Sequence, residues 1–292
     1  MSSKVYEIVT AKILEILDSG VVPWSVPWGP GVNEQKRSNG AAYRGFNQML
    51  LTAERLVRGY SSRVWVTYKQ AQEFGGTVKK GAKGTPVLFF QFMKKEEIRN
   101  GISREKKIPV TKFYTVFNID QTEGCKLPAK LTSKPVAEHE PIDACKAIMD
   151  GYKNGPALVH LEHRAFYRPA PDEINMPAVD TFKSFAHYFG VWAHEAVHST
   201  GHVKRLDRST IGEAYHLDRS VRSFEEIIAE LGSSYLCGVA GVEAVTIENS
   251  AAYCKSWLEY LRNDPGEIVR AASQAAKAAD HILGVTFTKE EE

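Results

Sequence analysis

Apolar positions Val5, Ile8, Val9, Ile13, Ile16 and Leu17 recur every three or four residues, which predicts a short amphipathic helix near the start of the chain. Gly20 and Pro23 supply its stop. Pro86 to Phe92 and Lys112 to Asn118 carry strand-type patterning, and the mixed-sign stretch from Lys94 to Lys107 between them reads as a solvated hairpin loop. Further on, Phe182, Phe185, Ala186, Phe189, Val191, Trp192 and Val197 build a wide apolar surface with no proline between Thr181 and His198. That pattern predicts a largely buried helix, with Gly201 as its stop. A second strongly helical segment begins near Ser223, where Ile227, Ile228 and Leu231 supply the packing face.

Charge divides the chain where the apolar pattern does not. Residues 1–131 hold 21 Lys and Arg against 11 Asp and Glu, and residues 132–292 hold 16 against 24. The formal net charge of +2 therefore hides a basic first half and an acidic second half, as expected of a polyanion-binding module joined to something else. At 292 residues, two domains with separate cores are expected. The proline-bearing polar stretch from Lys126 to Pro141 is the natural boundary.

Aromatic residues interleave with the cations of the basic half. Single-stranded nucleic acid is held in this way, by bases stacked on rings beside a positive groove. Trp24, Trp28 and Trp65 are expected in the core, because large aromatics are mostly buried. The contact candidates are Arg37, Tyr43, Arg44, Asn47 and Lys69, with Lys79, Lys80 and Lys83 of a glycine-flanked turn.

The buried helix carries the chemistry. His194-Glu195-Ala196-Val197-His198 is an H-E-x-x-H, and imidazoles four residues apart on one helical face stand about 6 Å apart along the axis, so both reach one cation. Glu195 beside the first ligand can take a proton from water as general base. Three ionisable groups on a hydrophobic helix are costly to bury without a use. A third ligand is required. The extended pattern would place a histidine at Lys204, so that option fails. Glu226 and Glu230 share one face of the next helix. Glu226 is assigned as ligand and Glu230 as the carboxylate behind a ligating imidazole; the reverse assignment suits the spacing too. Glu225 reads as a solvated first-turn acid. Zinc is the default ion, and manganese or cobalt also accept these donors.

Four scattered cysteines without a C-x-x-C pair fit a reducing compartment. The sequence shows no signal-peptide block, no run of about 18 apolar residues and no glycine after Met1 for myristoylation, so a cytoplasmic protein with no membrane partner is expected. A zinc deaminase would need H-x-E followed by P-C-x-x-C, and a two-metal nuclease clustered aspartates; neither pattern is present.

Both halves resemble the ArdC-type antirestriction proteins of conjugative plasmids. In the first half the likeness rests on Pro23-Trp24 through Pro27-Trp28, Tyr43-Arg44-Gly45-Phe46-Asn47, Trp65 to Ala71 and Val78-Lys79-Lys80-Gly81. In the second it rests on Asp172 to Pro177, His194 to His202, Arg205-Leu206-Asp207-Arg208, Glu225 to Leu231, Tyr253 to Leu258 and Ala271 to Leu283. The resemblance implies an α+β chain of two domains. Residues 1–131 would form a small, basic, mixed α/β domain that binds single-stranded DNA, and residues 132–292 a mainly helical zincin-like metallopeptidase domain. Similar proteins travel with the transferred strand and protect incoming DNA from restriction. That implies single-stranded DNA as a partner and a protein substrate, such as a restriction component. The resemblance also leads to an aromatic residue near Arg222; Phe224 stands there, and Tyr215 is the tyrosine at hand. An alternative of a different class is a DNA-shielding single-stranded-DNA-binding protein whose metal site is structural or not needed for protection.

Overall fold

The computed structural model describes residues 2–19, 22–23, 26–28, 33–99, 102–132, 140–212, 215, 217–243, 264 and 266–285. Trp24, Cys254 and the 253–258 stretch of the family likeness lie outside the described residues.

The first half combines helix α1 (Ser2–Asp18), α2 (Gly45–Arg58) and the short α3 (Tyr68–Glu73) with a mixed sheet. Its strands β1 (Lys36–Arg37), β2 (Val64–Val66), β4 (Thr85–Arg99) and β5 (Ile102–Asn118) run in the order β1-β2-β5-β4. A two-stranded ribbon pairs β3 (Thr77–Val78) with β6 (Thr122–Glu123). Thr67 and Gln70 cap α3 reciprocally, each side chain taking the other's backbone N–H. A one-turn α4 (Ala129–Thr132) follows.

The second half holds α5 (Pro141–Gly151), a small sheet in the order β7-β9-β8 (Ala157–Val159, Glu173–Asn175, Phe166–Arg168) and three long helices. These are α6 (Phe185–Thr200), α7 (Arg219–Ala240) and α8 (Glu267–Ile282). Ser184 caps α6 by accepting the His187 N–H at 3.1 Å, and Asp218 caps α7 by accepting that of Ser220 at 2.7 Å. The mixed α/β architecture with a basic first half and a helical second half agrees with the sequence expectation.

Two expectations fail. Residues 94–99 pair antiparallel with residues 102–107, in a register running from Thr85↔Val116 to Arg99↔Ile102. The pairing is carried by backbone N–H and C=O groups, so a mixed-charge sequence does not prevent it. The neglected signal is Asn100-Gly101, the dipeptide favoured in two-residue hairpin turns. The cores are also not separate. One apolar cluster joins Val9, Ile13 and Ile16 of α1 and Phe46, Met49 and Leu50 of α2 to Ile227, Ile228 and Leu236 of α7 and Ala271, Ala275 and Ala278 of α8. Trp28 meets Tyr235 edge to face at 4.8 Å, and Ser234 donates to the Val26 carbonyl at 2.8 Å. Each buried Val, Ile, Leu, Met or Phe among these contributes roughly 1.5–3 kcal/mol, so the seam is a substantial part of the fold's stability.

Gly232 sets how closely α6 and α7 approach. A Cβ there would stand 2.7 Å from Val197 Cγ2, a separation real side chains do not tolerate. The absent methyl lets the H-E-x-x-H helix lie against the glutamate-bearing helix.

Candidate metal centre

His194 and His198 project from the buried face of α6, each only 6% exposed. Their Nε2 atoms face each other at 3.1 Å. Glu226, from α7, brings Oε2 to 3.4 Å from His194 Nε2 and Oε1 to 3.7 Å from His198 Nε2. One donor atom from each of the three falls within 4.8 Å of the others. Ligand atoms on a tetrahedral zinc with bonds of about 2.0–2.1 Å stand about 3.3 Å apart, so this triangle fits such an ion. The donor set fits equally well: two neutral imidazoles and a carboxylate suit zinc and its neighbours.

The electrostatics describe the centre without an ion. Burial would lower the His198 pKa, but hydrogen bonds and charge from Glu225 and Glu226 raise it to about 10. His194 is likewise raised, with burial opposed by its contact to Glu226. Glu226 is held well below the ordinary carboxylate range; burial opposes this, and the two imidazoles overcome it. A cation held among the three would replace those shared protons.

Behind the triangle lies a layer that the helical pattern of the sequence understated. Glu225 is fully buried and accepts from His198 Nδ1 at 3.2 Å. Arg208 donates to both of its oxygens, at 2.6 and 3.1 Å, and Thr210 Oγ1 donates to Oε2. Arg208 also donates to the Val197 carbonyl at 2.8 Å and to Thr200 Oγ1 at 2.6 Å, clamping the end of α6. The expectation of a solvated Glu225 is therefore corrected. The helix starts at Arg219 rather than Ser223, which moves Glu225 into the second turn on the same stripe as Ile228 and Gly232. Spacing along that stripe was the signal available. Arg205, three residues before Arg208, folds back in the same way, onto Asp172 and the Ser199 carbonyl.

Glu230 stands 3.8 Å from His194 Nδ1, beyond hydrogen-bond length, and that nitrogen has no hydrogen-bond partner among the described residues. Tyr215 donates its hydroxyl to Glu226 Oε1, with its ring 6.2 Å from that of His198. Glu195 lies half-buried on α6, and its charge acts on His194. His202 stays apart, its Nδ1 accepting the Lys204 N–H at 3.2 Å. Gly201 follows the last turn of α6 in right-handed conformation and leaves room for Ile211.

In the basic half the structure separates the contact candidates. Tyr43 is 4% exposed and packed with Leu51, Trp65, Val87 and Val116, so its ring offers no face to a base; that expectation is withdrawn. Asn47 is occupied by strand β4, donating to the Leu88 carbonyl at 2.7 Å and accepting its N–H at 2.8 Å. The charge of Arg44 bears on Asp280 and Tyr235 across the seam between halves. Arg37, Lys69, Lys79, Lys80 and Lys83 are exposed, with Lys69 at 3.9 Å from Glu73. Trp28 and Trp65 are fully buried, as expected.

Comparison with known proteins agrees with this division. Residues 3–117 match the model of the N-terminal domain of anti-restriction factor ArdC, and residues 148–274 match that of a zincin-like metallopeptidase. Crystal structures of the antirestriction ArdC protein from plasmid R388 align with 97% of this chain and 99% of theirs, at 38% identity and a TM-score of 0.75 for the metal-free form. The chain belongs to the ArdC antirestriction family. The Mn(II)-bound form of the R388 protein aligns as well, at 40% identity and a TM-score of 0.75 over 96% of this chain and 97% of that one. DNA primase TraC of Escherichia coli is 33% identical over 297 residues, covering 95% of this chain. The chain spans only 20% of that relative's length, and 27% of a second TraC primase at 32% identity. For an ArdC-family chain with a zincin-like domain and this donor triangle, a divalent metal ion is the fitting occupant. No helix among the described residues is long and apolar enough to cross a membrane.

Proposed function

We propose that the chain protects incoming DNA during conjugative transfer, binding single-stranded DNA through its basic half and carrying a zinc-dependent peptidase-like site in the other. The observation that carries the second part is the convergence of His194, His198 and Glu226 with Glu195 on the same helix. A bound zinc ion would polarise a carbonyl and acidify a water molecule. His194, His198 and Glu226 would hold it. Glu195 would accept the proton of the attacking water and pass it to the leaving amine, which a structural site would not need. Tyr215, whose hydroxyl donates to Glu226, would donate to a developing oxyanion once released. Arg37, Lys69, Lys79, Lys80 and Lys83 are the exposed cations proposed for DNA, and a protein of the restriction machinery in the cytoplasm is the proposed substrate.

The test is Glu195→Gln. Metal content should be unchanged and proteolysis abolished; retained peptidase activity would remove Glu195 from this role. A second reading, protection by shielding DNA alone, is favoured by the burial of both imidazoles at 6% exposure, which limits access for a folded polypeptide. It requires that Glu195→Gln leave protection during DNA transfer intact.

A further inference from the structure

We infer that the turn from Lys79 to Lys83, with Arg58 and Tyr60, forms a cleft that holds the phosphodiester backbone of single-stranded DNA. This rests on the reading that the basic half binds single-stranded DNA, and it fixes where. The cleft is open to solvent, has a volume of about 420 Å³ and is completed by Asp120 and Gln121. That volume lies within the ~300–1,000 Å³ of sites for small ligands, the scale of a nucleotide unit rather than of a duplex.

The turn is built rather than loose. Ala82 donates its N–H to the Lys79 carbonyl at 3.1 Å, and Gly81 between them has φ +82°, a conformation other residues adopt only under strain. Lys80 thus sits at the tip. Three hydrogen bonds pin the turn to the 120–121 segment: Lys79 N–H to the Gln121 carbonyl, Lys79 Nζ to the Asp120 carbonyl and Gln121 Nε2 to the Lys83 carbonyl, each at 2.9 Å. Three lysines are therefore presented on fixed backbone at little ordering cost.

The acid lining the cleft is turned to Ser61 and Ser62 rather than paired with the lysines. Asp120 Oδ2 accepts the Ser61 N–H at 2.6 Å, the Ser61 hydroxyl at 2.9 Å and the Ser62 N–H at 3.1 Å, and no lysine pairs with it among the described residues. Arg58 is already engaged by Glu54 and Glu15, which makes it a wall of the cleft rather than its main anion contact. Tyr60, set edge to face on Trp65 at 6.0 Å, places an aromatic ring beside the cations. Cations with an adjoining aromatic suit a phosphate-and-base polymer; an acidic peptide would use the cations and leave the ring idle.

The experiment is binding of fluorescently labelled oligothymidylate to the full chain across a range of salt. Lys80→Ala with Lys83→Ala should weaken binding at low salt about tenfold and reduce the slope of log K against log salt by about 1.4, at ~0.7 per single-strand phosphate contact. Tyr60→Ala should weaken binding about tenfold with the slope unchanged. Gly81→Val should weaken binding with every lysine present. Lys204→Ala, an exposed cation in the other half, should change neither quantity. Circular dichroism of each variant confirms folding. If the wild type binds and the double lysine variant keeps its affinity and slope, the cleft is overturned while the DNA reading stands. If the wild type does not bind the oligonucleotide, the DNA reading itself falls. Polyglutamate displacing the oligonucleotide at equal charge would assign the cleft to acidic polypeptides and overturn the inference.

Discussion

Replacing Glu225 by Gln tests whether the layer behind the metal triangle sets metal affinity. In the native arrangement, the carboxylate accepts from His198 Nδ1, from two nitrogens of Arg208 and from Thr210. An amide can still accept through its oxygen, but its NH2 group then faces Arg208 in either orientation, together with Thr210 or, if flipped, His198 Nδ1. Arg208, with a side chain only 5% exposed, loses its charge partner. Breaking a buried pair in this way costs about 3–5 kcal/mol, which a thermal melt will register. The effect on the ion is separate. Glu225 keeps the proton of His198 on Nδ1 and leaves Nε2 free to coordinate. Losing such a partner weakens metal affinity about 10–100-fold, or about 1.4–2.8 kcal/mol. Competition with a chromophoric chelator for Mn(II) or Zn(II), at a temperature where the variant remains folded, measures this directly. Thr210→Val provides the matched control. It removes one donor to the same carboxylate, should cost about 1 kcal/mol of stability and should leave affinity within a fewfold of wild type. A Glu225→Gln protein that binds the ion as tightly as wild type would refute the reasoning.

Other consequences can be checked independently. Because the pKa of His198 is raised to about 10 from 6.5, it stabilises the metal-free protein fully below about pH 6.5, and this contribution fades as pH rises through 10. Glu226 is lowered, so its contribution is present above pH 4.5 and is lost on acidification below that. Thermal melts of metal-free protein should therefore soften on the alkaline side, and melts with saturating metal should lose that dependence. Gly232→Ala should push α7 off Val197, costing about 1–3 kcal/mol and weakening metal binding in the chelator assay, whereas Ser233→Ala one residue on should do neither. Leu50→Ala, in the core shared by both halves, should cost about 2–5 kcal/mol and lower the melting temperature reported by a probe in either half.

The sequence was most legible where periodicity and chemistry coincided. His194, Glu195 and His198 lie on one strongly apolar helix, and Glu226 is four residues from Glu230 on the next, so the triangle could be assembled on paper. Glu225 was missed because its placement turns on where α7 begins, and capping by Asp218 starts that helix at Arg219, four residues before Ser223. Arg208 was missed as a partner because its role exists only after the chain doubles back beyond α6. In the basic half, composition revealed the excess of cations but could not say which of them, or which aromatics, stand at the surface. Tyr43 and Lys80 sit equally well beside cations in sequence, yet one is packed against Trp65 and the other stands at the tip of a turn.

The seam formed by Trp28, Tyr235, α2 and α8 also bears on inheritance. Two segments that are recognised separately, 3–117 and 148–274, are here joined by interlocking side chains from both. Recombination that exchanged only one of them between relatives would bring together faces never fitted to each other. Chimeras should be recovered as folded protein only when helices α2 and α8 come from the same parent, which a panel of exchanged segments would test by soluble yield.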